Sequence, residues 1–399
     1  MAHAVLHPTA ATADRAYLVA ADLHGSLLTA EDSLAELAEL ARTAGADVVG
    51  RTTQKLDSPH VATYVGKGKV QEIREQLVEL KANVAVFDDE LSPSQQRNLE
   101  KALGTKVIDR TALILDIFAT RAHTREGRLQ VSLAQMEYLL PRLAGQWAHL
   151  ERMEGAIGTR GPGETQIETD RRLIRSRISK IKKDLEDVST QRELYRRNRR
   201  RNGMPVVALV GYTNAGKSTL MRTLSGADVL AEDRLFATLD PVTRRLRLPT
   251  GEVVLLTDTV GFIQKLPTQL VASFRATLEE LKEADVLLHV VDISHPRASE
   301  QTQSVEKTLK DLGAVAAPCL IALNKADQLV NDEGDPVADF DEARAVVQGA
   351  GAPPANVVLI SAVKRWGLDI LLTRVSAALE GDLGVSSSGA EVFAARDAV

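Results

Sequence analysis

The sequence predicts an α/β protein with an N-terminal parallel α/β domain, a long antiparallel helical hairpin and a doubly wound α/β domain after it. Three observations support this fold class. Short β-rich runs alternate with helical patterns across 16–110, which is typical of a parallel sheet. Apolar residues follow a heptad spacing across 129–188, which indicates paired helices. At 206–220 an apolar run meets a glycine-bounded loop and a helical pattern, as at the strand-to-helix turn of doubly wound folds.

The composition is that of a globular protein of two or three domains. The chain has 399 residues, of which 44% are apolar and 26% charged, so sizeable cores can form. Its net charge of −5 means that any nucleic-acid binding must come from a local basic patch. No run approaches twenty apolar residues and 1–14 lacks a signal peptide's apolar region, so we expect a cytoplasmic protein without stable membrane insertion. We also expect a monomer.

We expect five segments along the chain. They are a disordered N-terminus at 1–15, an α/β domain at 16–122, the helical hairpin with a glycine-rich tip at 123–203, the second α/β domain at 204–381 and a disordered tail at 382–399. In the first domain we predict strands at 16–21, 47–51, 84–87 and 106–108, and helices at 33–44, 69–80 and 94–103.

Two polar features of the first domain each allow two interpretations. Gly66-Lys67-Gly68-Lys69 opens a helix; a turn with two solvated lysines is favoured over a phosphate or RNA site. Asp88-Asp89-Glu90 follows a strand; a solvated loop that caps the next helix is favoured over a metal site. The single cysteine, Cys319, lies in an apolar run of the last domain, where a core residue is favoured over a nucleophile or ligand.

The hairpin is predicted from two sets of apolar residues with alternating spacings of four and three. The first set is Leu129, Leu133, Met136, Leu140, Leu143, Trp147 and Leu150, and the second is Ile174, Ile178, Ile181, Leu185 and Val188. Between them, 155–165 contains four glycines and a proline, so we expect a non-helical, exposed tip. The second arm should run from about 166 to 197.

The second arm is strongly basic. Up to Arg201 its positive residues outnumber its acidic residues by about two to one, although the chain is acidic overall. Those outside the predicted seam are Arg171, Arg172, Arg175, Arg177, Lys180, Lys182 and Lys183. We favour binding of a polyanion over a merely solvated coiled-coil face. Part of the basic run at 196–201 is also explained by favourable charge at a helix C-terminus.

The stretch 211–218 has the spacing G-x-x-x-x-G-K-S between an apolar strand and a helix. In this arrangement backbone N–H groups surround phosphates, Lys217 reaches the β and γ oxygens, and the Ser218 hydroxyl binds Mg²⁺. A tight turn with an incidental lysine is disfavoured because the flanking strand and helix are both recognisable. The predicted nucleotide contacts of this loop are Gly211, Tyr212, Thr213, Asn214, Ala215, Gly216, Lys217, Ser218 and Thr219.

Two further strand ends complete a GTP site. Asp258 ends a β-rich run in D-x-x-G, where it can hold Mg²⁺ through water, and Gly261 can direct its N–H to the γ-phosphate. The run at 319–327 ends in N-K-x-D, and the Asp327 carboxylate can accept two N–H bonds from guanine but not from adenine. We therefore predict GTP and GDP as ligands. The remaining predicted base contacts are Asn324, Lys325, Ser361 and Ala362.

Together with T-Y-V-G-K-G-K, G-T-R-G-P-G-E-T-Q-I-E-T-D, G-Y-T-N-A-G-K-S-T-L and F-A-T-L-D-P, these motifs resemble HflX, a ribosome-associated GTPase family of the Obg-HflX branch. The resemblance spans about 16–381 and implies a Ras-like P-loop G domain that hydrolyses GTP to GDP and phosphate. It also implies binding to the 50S subunit with the tip near the peptidyl-transferase centre of 23S rRNA, and splitting of stalled or idle ribosomes. ATP binding by the first domain is a further family attribute, for which we find no sharp motif.

The resemblance also assigns roles within the G domain. Thr238 lies in the segment similar to the family's first switch and should close on Mg²⁺ and the γ-phosphate, whereas Thr243 is predicted to lie in the sheet. Asn214 occupies the position at which cation-dependent relatives keep an asparagine, so K⁺ is a candidate cofactor beside Mg²⁺; the alternative is that Asn214 only braces the loop. Phe262 replaces the usual water-orienting glutamine, so we expect slow intrinsic hydrolysis. The expected catalytic set is Lys217, Thr238, Gly261 and Asn214, and the expected metal set is Ser218, Thr238 and Asp258.

One departure from the family pattern concerns the end of the chain. Relatives commonly continue into a small C-terminal domain, whereas 382–399 is a polar stretch that we expect to be disordered. Functions that the family assigns to that domain are therefore in doubt here. A second function class also fits the motifs: a GTP-switched adaptor whose basic hairpin recruits a protein or membrane target.

Overall fold

The computed structural model describes residues 13–23, 29–143, 162–201, 203–226, 235–236, 238–265, 281–311, 313, 317–331, 333–348 and 354–381. The predicted disordered segments therefore fall almost wholly outside the described residues, as does the part of the predicted tip before 162. The chain divides into two compact units, Met1–Ile117 with Pro141–Ile157 and Phe118–Leu140 with Gly158–Val399. None of the described helices is both long and apolar enough to cross a membrane.

The first unit contains the predicted parallel sheet, with strand order β2-β1-β3-β4 and every neighbouring pair parallel. Its strands are β1 (Arg15–Leu23), β2 (Asp47–Leu56), β3 (Val84–Phe87) and β4 (Lys106–Asp109). Its helices are α1 (Ala30–Thr43), α2 (Lys67–Glu79), α3 (Pro93–Leu103) and the start of α4 (Arg110–Arg121). Three of these helices lie where the sequence predicts them, and α3 begins at the Ser92 capping box. Helix α4 was not predicted.

The polar features of this unit have structural partners. Asp88 lies at the end of β3 and pairs with the buried Arg110 guanidinium, 2.8 Å away, which also contacts Glu36. The predicted solvated loop that caps the next helix is wrong at Asp88, which is buried, and the N-cap of α3 is Ser92. Lys69 donates to Thr52 and Glu72 from the first turn of α2, so its charge is also matched within the unit.

The second unit contains a six-stranded sheet of order β10-β9-β8-β5-β7-β6, parallel except that β6 is antiparallel to β7. Its strands are β5 (Val206–Val210), β6 (Val242–Arg247), β7 (Val253–Asp258), β8 (Val286–Asp292), β9 (Cys319–Asn324) and β10 (Val357–Leu359). Its helices are α5 (Arg125–Leu139), α6 (Pro162–Arg201), α7 (Lys217–Ser225), α8 (Ala298–Asp311), α9 (Phe340–Gln348) and α10 (Leu368–Glu380).

The central strands of this sheet are buried on both faces, as continuous apolar runs require. Their carboxyl ends lie at one edge of the sheet, where Gly211, Asp258 and Asn324 follow or end three of them. Open α/β sheets bind ligands at that edge. As predicted, Thr243 lies within β6, where its hydroxyl is 3.0 Å from that of Thr257.

The helical hairpin requires two corrections. The heptad pattern predicts one helix through Leu150, but α5 ends at Leu139 because Pro141 has no N–H with which to continue the helix. The rest of that predicted helix, 144–150, lies outside the described residues. The non-helical tip was predicted to extend to Thr165, but α6 already begins at Pro162, a favourable residue for the first helical position. The helices α5 and α6 pack against each other, and Lys182 pairs with Glu137 at 2.8 Å. At 40 residues, α6 is about 60 Å long.

Candidate nucleotide-binding site

The loop between β5 and α7 requires glycine at both of its ends. Gly211 has a φ of 149°, and a Cβ added there would lie 2.2 Å from the Val290 carbonyl oxygen. Gly216 has a φ of 93°, and its added Cβ would lie 2.3 Å from the Asn324 amide nitrogen. Other residues cannot adopt these conformations without displacing neighbouring strands. The loop leads directly into the N-terminus of α7, a position suited to phosphate.

Lys217 is the first residue of α7 and lies under this loop. Its ammonium group donates to the carbonyl oxygens of Gly211 and Tyr212, at 3.0 and 2.7 Å. Burial lowers the pKa of Lys217 to about 8, and the nearby Asp258 carboxylate opposes that shift. A lysine in such a position keeps its charge most easily when an anion is bound beside it.

Three oxygen-bearing side chains meet at the other side of the loop. The Ser218 hydroxyl donates to the Asp258 carboxylate at 2.7 Å, and Thr238 donates to the same oxygen at 3.0 Å. The two hydroxyl oxygens are 2.8 Å apart. Burial raises the pKa of Asp258, while Lys217 and the two hydroxyls oppose the increase. The sequence-predicted metal residues are therefore brought together, although they lie in three separate segments.

This oxygen cluster fits a hard divalent cation. The second carboxylate oxygen of Asp258 is buried and has no hydrogen-bond partner within the described residues. A buried acceptor of that kind is costly unless a cation or ordered water satisfies it. Carboxylate and hydroxyl oxygens are also the ligands that Mg²⁺ prefers.

The start of the segment after β7 is joined to the phosphate-binding loop. Thr213 donates its backbone N–H to the Phe262 carbonyl at 2.7 Å, and Phe262 donates its own to Gly211 at 3.0 Å. A Cβ added to Gly261 would lie 3.0 Å from both the Lys217 ammonium and the Thr213 Cα atom. Glycine at 261 therefore permits close approach of this segment to the phosphate side of the site.

The base side is a pocket of about 390 Å³ next to the same loop. Asn324 spans it: the side-chain amide donates to the Ala215 carbonyl at 2.8 Å, and the side-chain oxygen accepts from the Ala362 N–H at 3.0 Å. The Asp327 carboxylate accepts from the Ser361 hydroxyl. Asp327 lines the pocket, and the hydrogen bond from Ser361, which lies just after β10, fixes the orientation of its carboxylate.

Some residues around the pocket were missed by the sequence analysis. Arg222, Gln328 and Val363 also line it, and Val363 is 71% exposed although it is apolar. Asp292 accepts from the Lys325 ammonium at 2.7 Å and so fixes a predicted base contact. Asp292 ends β8, and its position at a strand's carboxyl end is a signal that could have identified it.

Asn214, which was predicted as a K⁺ ligand, lies at the top of the loop. Its side chain is exposed, its φ is 61°, and it lines the same pocket. It is therefore separate from the buried cluster of Ser218, Thr238 and Asp258.

Most of the predicted cations of α6 are exposed. Arg172, Arg175, Arg177, Lys180, Lys182 and Lys183 face solvent, while Arg171 is half-buried. Ile174, Ile178 and Ile181 are half-buried between them, as the predicted seam requires. The described part of α6 thus presents a row of positive charges along one long helix.

Three family models match most of the chain. Residues 31–119 match the N-terminal region of GTP-binding GTPases, and residues 121–199 match the middle region of the same proteins. Residues 206–325 match a family described as 50S ribosome-binding GTPases.

Individual relatives named GTPase HflX also match the chain. The chain is 59% identical over 298 residues to the GTPase HflX of Alkalihalophilus pseudofirmus, covering 75% of this chain and 70% of that protein. It is 45% identical over 352 residues to the GTPase HflX of Escherichia coli, covering 88% and 80%. A crystal structure of a GTP-binding protein from the archaeon Sulfolobus solfataricus in complex with GDP aligns at 24% identity and a TM-score of 0.45, covering 92% of this chain and 100% of that one.

Proposed function

The chain belongs to the HflX family of GTPases, and we propose that it binds the 50S ribosomal subunit and uses GTP binding and hydrolysis to split stalled or idle ribosomes. Its GTPase activity follows from the family. The choice of ribosomal RNA as the target, and of splitting as the outcome, is the proposal. We place this activity in the cytoplasm and assign it to a monomer.

Catalysis by the G domain relies on positioning and charge neutralisation. Lys217 can transfer its two hydrogen bonds from loop carbonyls to phosphate oxygens, and the Gly261 N–H lies on the same side of the site. Ser218, Thr238 and Asp258 would hold Mg²⁺, which neutralises phosphate charge when bound. Phe262 has no hydrogen-bonding group with which to orient water, which supports slow hydrolysis in the absence of a partner or a second cation.

The row of exposed cations on α6 is the observation that supports a ribosomal target. Most of these side chains extend into solvent, and only Lys182 has a described ion-pair partner, Glu137. The described exposed cations, from Arg172 to Lys183, extend along about 17 Å of helix, and such a row matches the repeating phosphates of RNA better than it matches one acidic protein site. The family model over 206–325, whose description names 50S binding, supports the same target.

Co-sedimentation with purified 50S subunits tests the proposal. We expect the chain to pellet with 50S when a non-hydrolysable GTP analogue is present and to remain largely in the supernatant with GDP. Binding should weaken steeply as salt increases, because each phosphate contact releases a counterion. Addition of the chain and the analogue to 70S ribosomes should increase the free-subunit peaks on a gradient. Binding that ignores the nucleotide, or no binding at all, would instead favour the adaptor.

A further inference from the structure

Asp240, in the predicted switch segment 236–241, anchors Thr124, the N-cap residue of α5. Asp240 accepts the backbone N–H groups of His123 and Thr124, both at 2.8 Å, and also the Thr124 hydroxyl. The Thr124 hydroxyl oxygen in turn accepts the Gly127 N–H at 3.0 Å. The cap itself is the Thr124 hydroxyl, and Asp240 holds that residue in place by accepting its N–H and O–H groups and the N–H of the residue before it. A carboxylate at a helix N-terminus is also favoured by the helix dipole.

Gly127 makes room for this contact. A Cβ at 127 would lie 2.3 Å from a carboxylate oxygen of Asp240. Glycine is a poor helix former, and its place in the first turn of α5 brings no benefit to the helix itself. Its absence of a side chain is explained by the docking of Asp240.

The switch segment is held on the other side by an aromatic contact. The rings of Phe236 and Phe118 meet edge to face with centroids 4.6 Å apart, and both side chains are buried. Phe118 is in α4, only a few residues before α5 begins. The segment is therefore fixed at Phe236 and Asp240, two residues before and two residues after Thr238.

Thr238 is the residue of this segment that lies in the oxygen cluster of the nucleotide site. Two residues span at most about 7 Å of extended chain. If Thr238 moves several ångströms when the γ-phosphate is lost, Asp240 cannot keep all of its hydrogen bonds to Thr124 and His123. The oxygen cluster and the cap of α5 are thus linked by a very short stretch of chain.

We propose that Asp240 is a positioning residue that couples the nucleotide state of the G domain to helix α5. With GTP bound, Thr238 is held in the oxygen cluster and Asp240 anchors Thr124, the N-cap residue of α5. With GDP bound, Thr238 is released, Asp240 withdraws and Thr124 loses that anchor, which weakens the cap of α5. Coupling is reciprocal, so the capped helix also favours GTP over GDP. The inference depends on the GTPase activity and not on the ribosomal target.

Hydrogen exchange on the full chain tests the coupling directly. Amides of 124–130 should exchange about fivefold more slowly with GMPPNP than with GDP, a factor that corresponds to one helix cap. Asp240→Ala should remove this difference, and Asp240→Asn, which keeps one acceptor oxygen, should restore part of it. Asp339→Ala is the matched control, because Asp339 caps α9 of the same unit and has no contact with the switch segment.

Gly127→Ala separates coupling from helix stability. Alanine favours the helix, so a purely structural role for Gly127 predicts slower exchange in α5 with both nucleotides. Coupling instead predicts that the added Cβ displaces Asp240 and removes the nucleotide-dependent difference. Asp240→Ala and Gly127→Ala should also each bind GMPPNP about fivefold less tightly, while their affinity for GDP stays unchanged.

The inference is overturned if Asp240→Ala and Gly127→Ala keep the difference in exchange, or if the unaltered chain shows none. Loss of the difference in Asp339→Ala would also overturn it, because any lost cap would then have the same effect. These experiments contain no ribosomes. Failure of 50S binding and failure of the coupling are therefore distinguished.

Discussion

Lys217 and Asp258 are both buried at the phosphate side of the site, and each opposes the pKa shift that burial imposes on the other. Burial lowers the pKa of Lys217 to about 8 and raises that of Asp258. Opposite charges held together in this way are sensitive to any further charge that enters the site. Nucleotide phosphates should stabilise the ammonium group, and a divalent cation should stabilise the carboxylate.

GTP affinity should therefore depend on pH through Lys217. Its pKa is about 8 in the folded chain, so the side chain is charged below that pH and neutral above it. Phosphates bind the charged form, so binding above pH 8 must take up a proton and the Kd should rise by up to about tenfold per pH unit. Measurement of the Kd for GTP at several pH values between about 7 and 9 tests this dependence. Guanosine has no phosphates and should show a weaker dependence; equal slopes for both ligands would contradict the role of Lys217.

Asp258→Asn should remove most of the Mg²⁺ dependence. The amide has no charge for the cation, and the buried oxygen that fits a metal ligand becomes a weak acceptor. We expect hydrolysis to fall by about a hundredfold or more and the Mg²⁺ concentration for half-maximal activity to rise. Asp285→Asn makes the same change at a carboxylate that accepts the Val206 N–H, outside the oxygen cluster. It should leave hydrolysis and the Mg²⁺ concentration for half-maximal activity near those of the unaltered chain. An unchanged Mg²⁺ requirement in Asp258→Asn would remove it from the metal site.

Asp327→Asn should change base selection. An amide inverts one of the two hydrogen bonds that guanine offers, while xanthine presents the complementary group. GTP should bind about a hundredfold or more weakly, and xanthosine triphosphate should bind better than it does to the unaltered chain. Asp335→Asn, an exposed position away from the pocket, is the control. If the variant keeps its preference for GTP, Asp327 does not read the base.

The elements that position the candidate nucleotide site could be predicted from the sequence because each motif is short and its geometry depends on the local chain. Gly211 and Gly216 need positive φ, and Asn324 and Asp258 end buried strands, so their positions follow from the alternation of strands and helices. The parallel sheets could be predicted for the same reason. These sequence patterns predict where each strand ends and in which direction the chain continues from it.

Contacts between distant segments could not be predicted in this way. Asp240 and Thr124 are 116 residues apart, and no spacing in the sequence relates them. The end of α5 was also missed, because the heptad pattern continues past Pro141 although the helix does not. At 162–165 the glycine content predicted a non-helical tip, but a helix begins there at Pro162, a residue that favours the first helical position.

Potassium should accelerate hydrolysis through Asn214. Its exposed side-chain oxygen lies beside the pocket, where a monovalent cation could share phosphate oxygens and supply the charge that an arginine provides in other GTPases. We expect rates at least about tenfold higher in KCl than in NaCl, since Na⁺ is smaller and fits the same oxygens poorly. Asn214→Ala should reduce the KCl rate to the NaCl rate. Equal rates of the unaltered chain in the two salts would leave Asn214 as a brace for the loop.

Reversal of charge on α6 should abolish ribosome binding while it spares the enzyme. Arg172, Arg175 and Lys183 are exposed and distant in sequence from every nucleotide contact, so their replacement by Glu leaves the phosphate-binding loop unaltered. Basal GTP hydrolysis should stay within about twofold, whereas 50S binding should fall by about a thousandfold, since each lost phosphate contact costs roughly a factor of ten at low salt. Sedimentation across a range of salt concentrations measures both the loss and the reduced salt slope.

The matched control places the same charge change elsewhere in the second unit. Lys307, Lys310 and Arg374 are exposed on α8 and α10, and their replacement by Glu changes the net charge by the same amount. If 50S binding depended only on overall charge, both triple variants would lose it equally, because long-range steering does not distinguish the two surfaces. If α6 contacts RNA, only its own variant loses both affinity and salt dependence, because counterion release occurs where phosphates are touched. Equal losses would therefore remove α6 as the ribosome-binding surface, even if the chain still sediments with 50S.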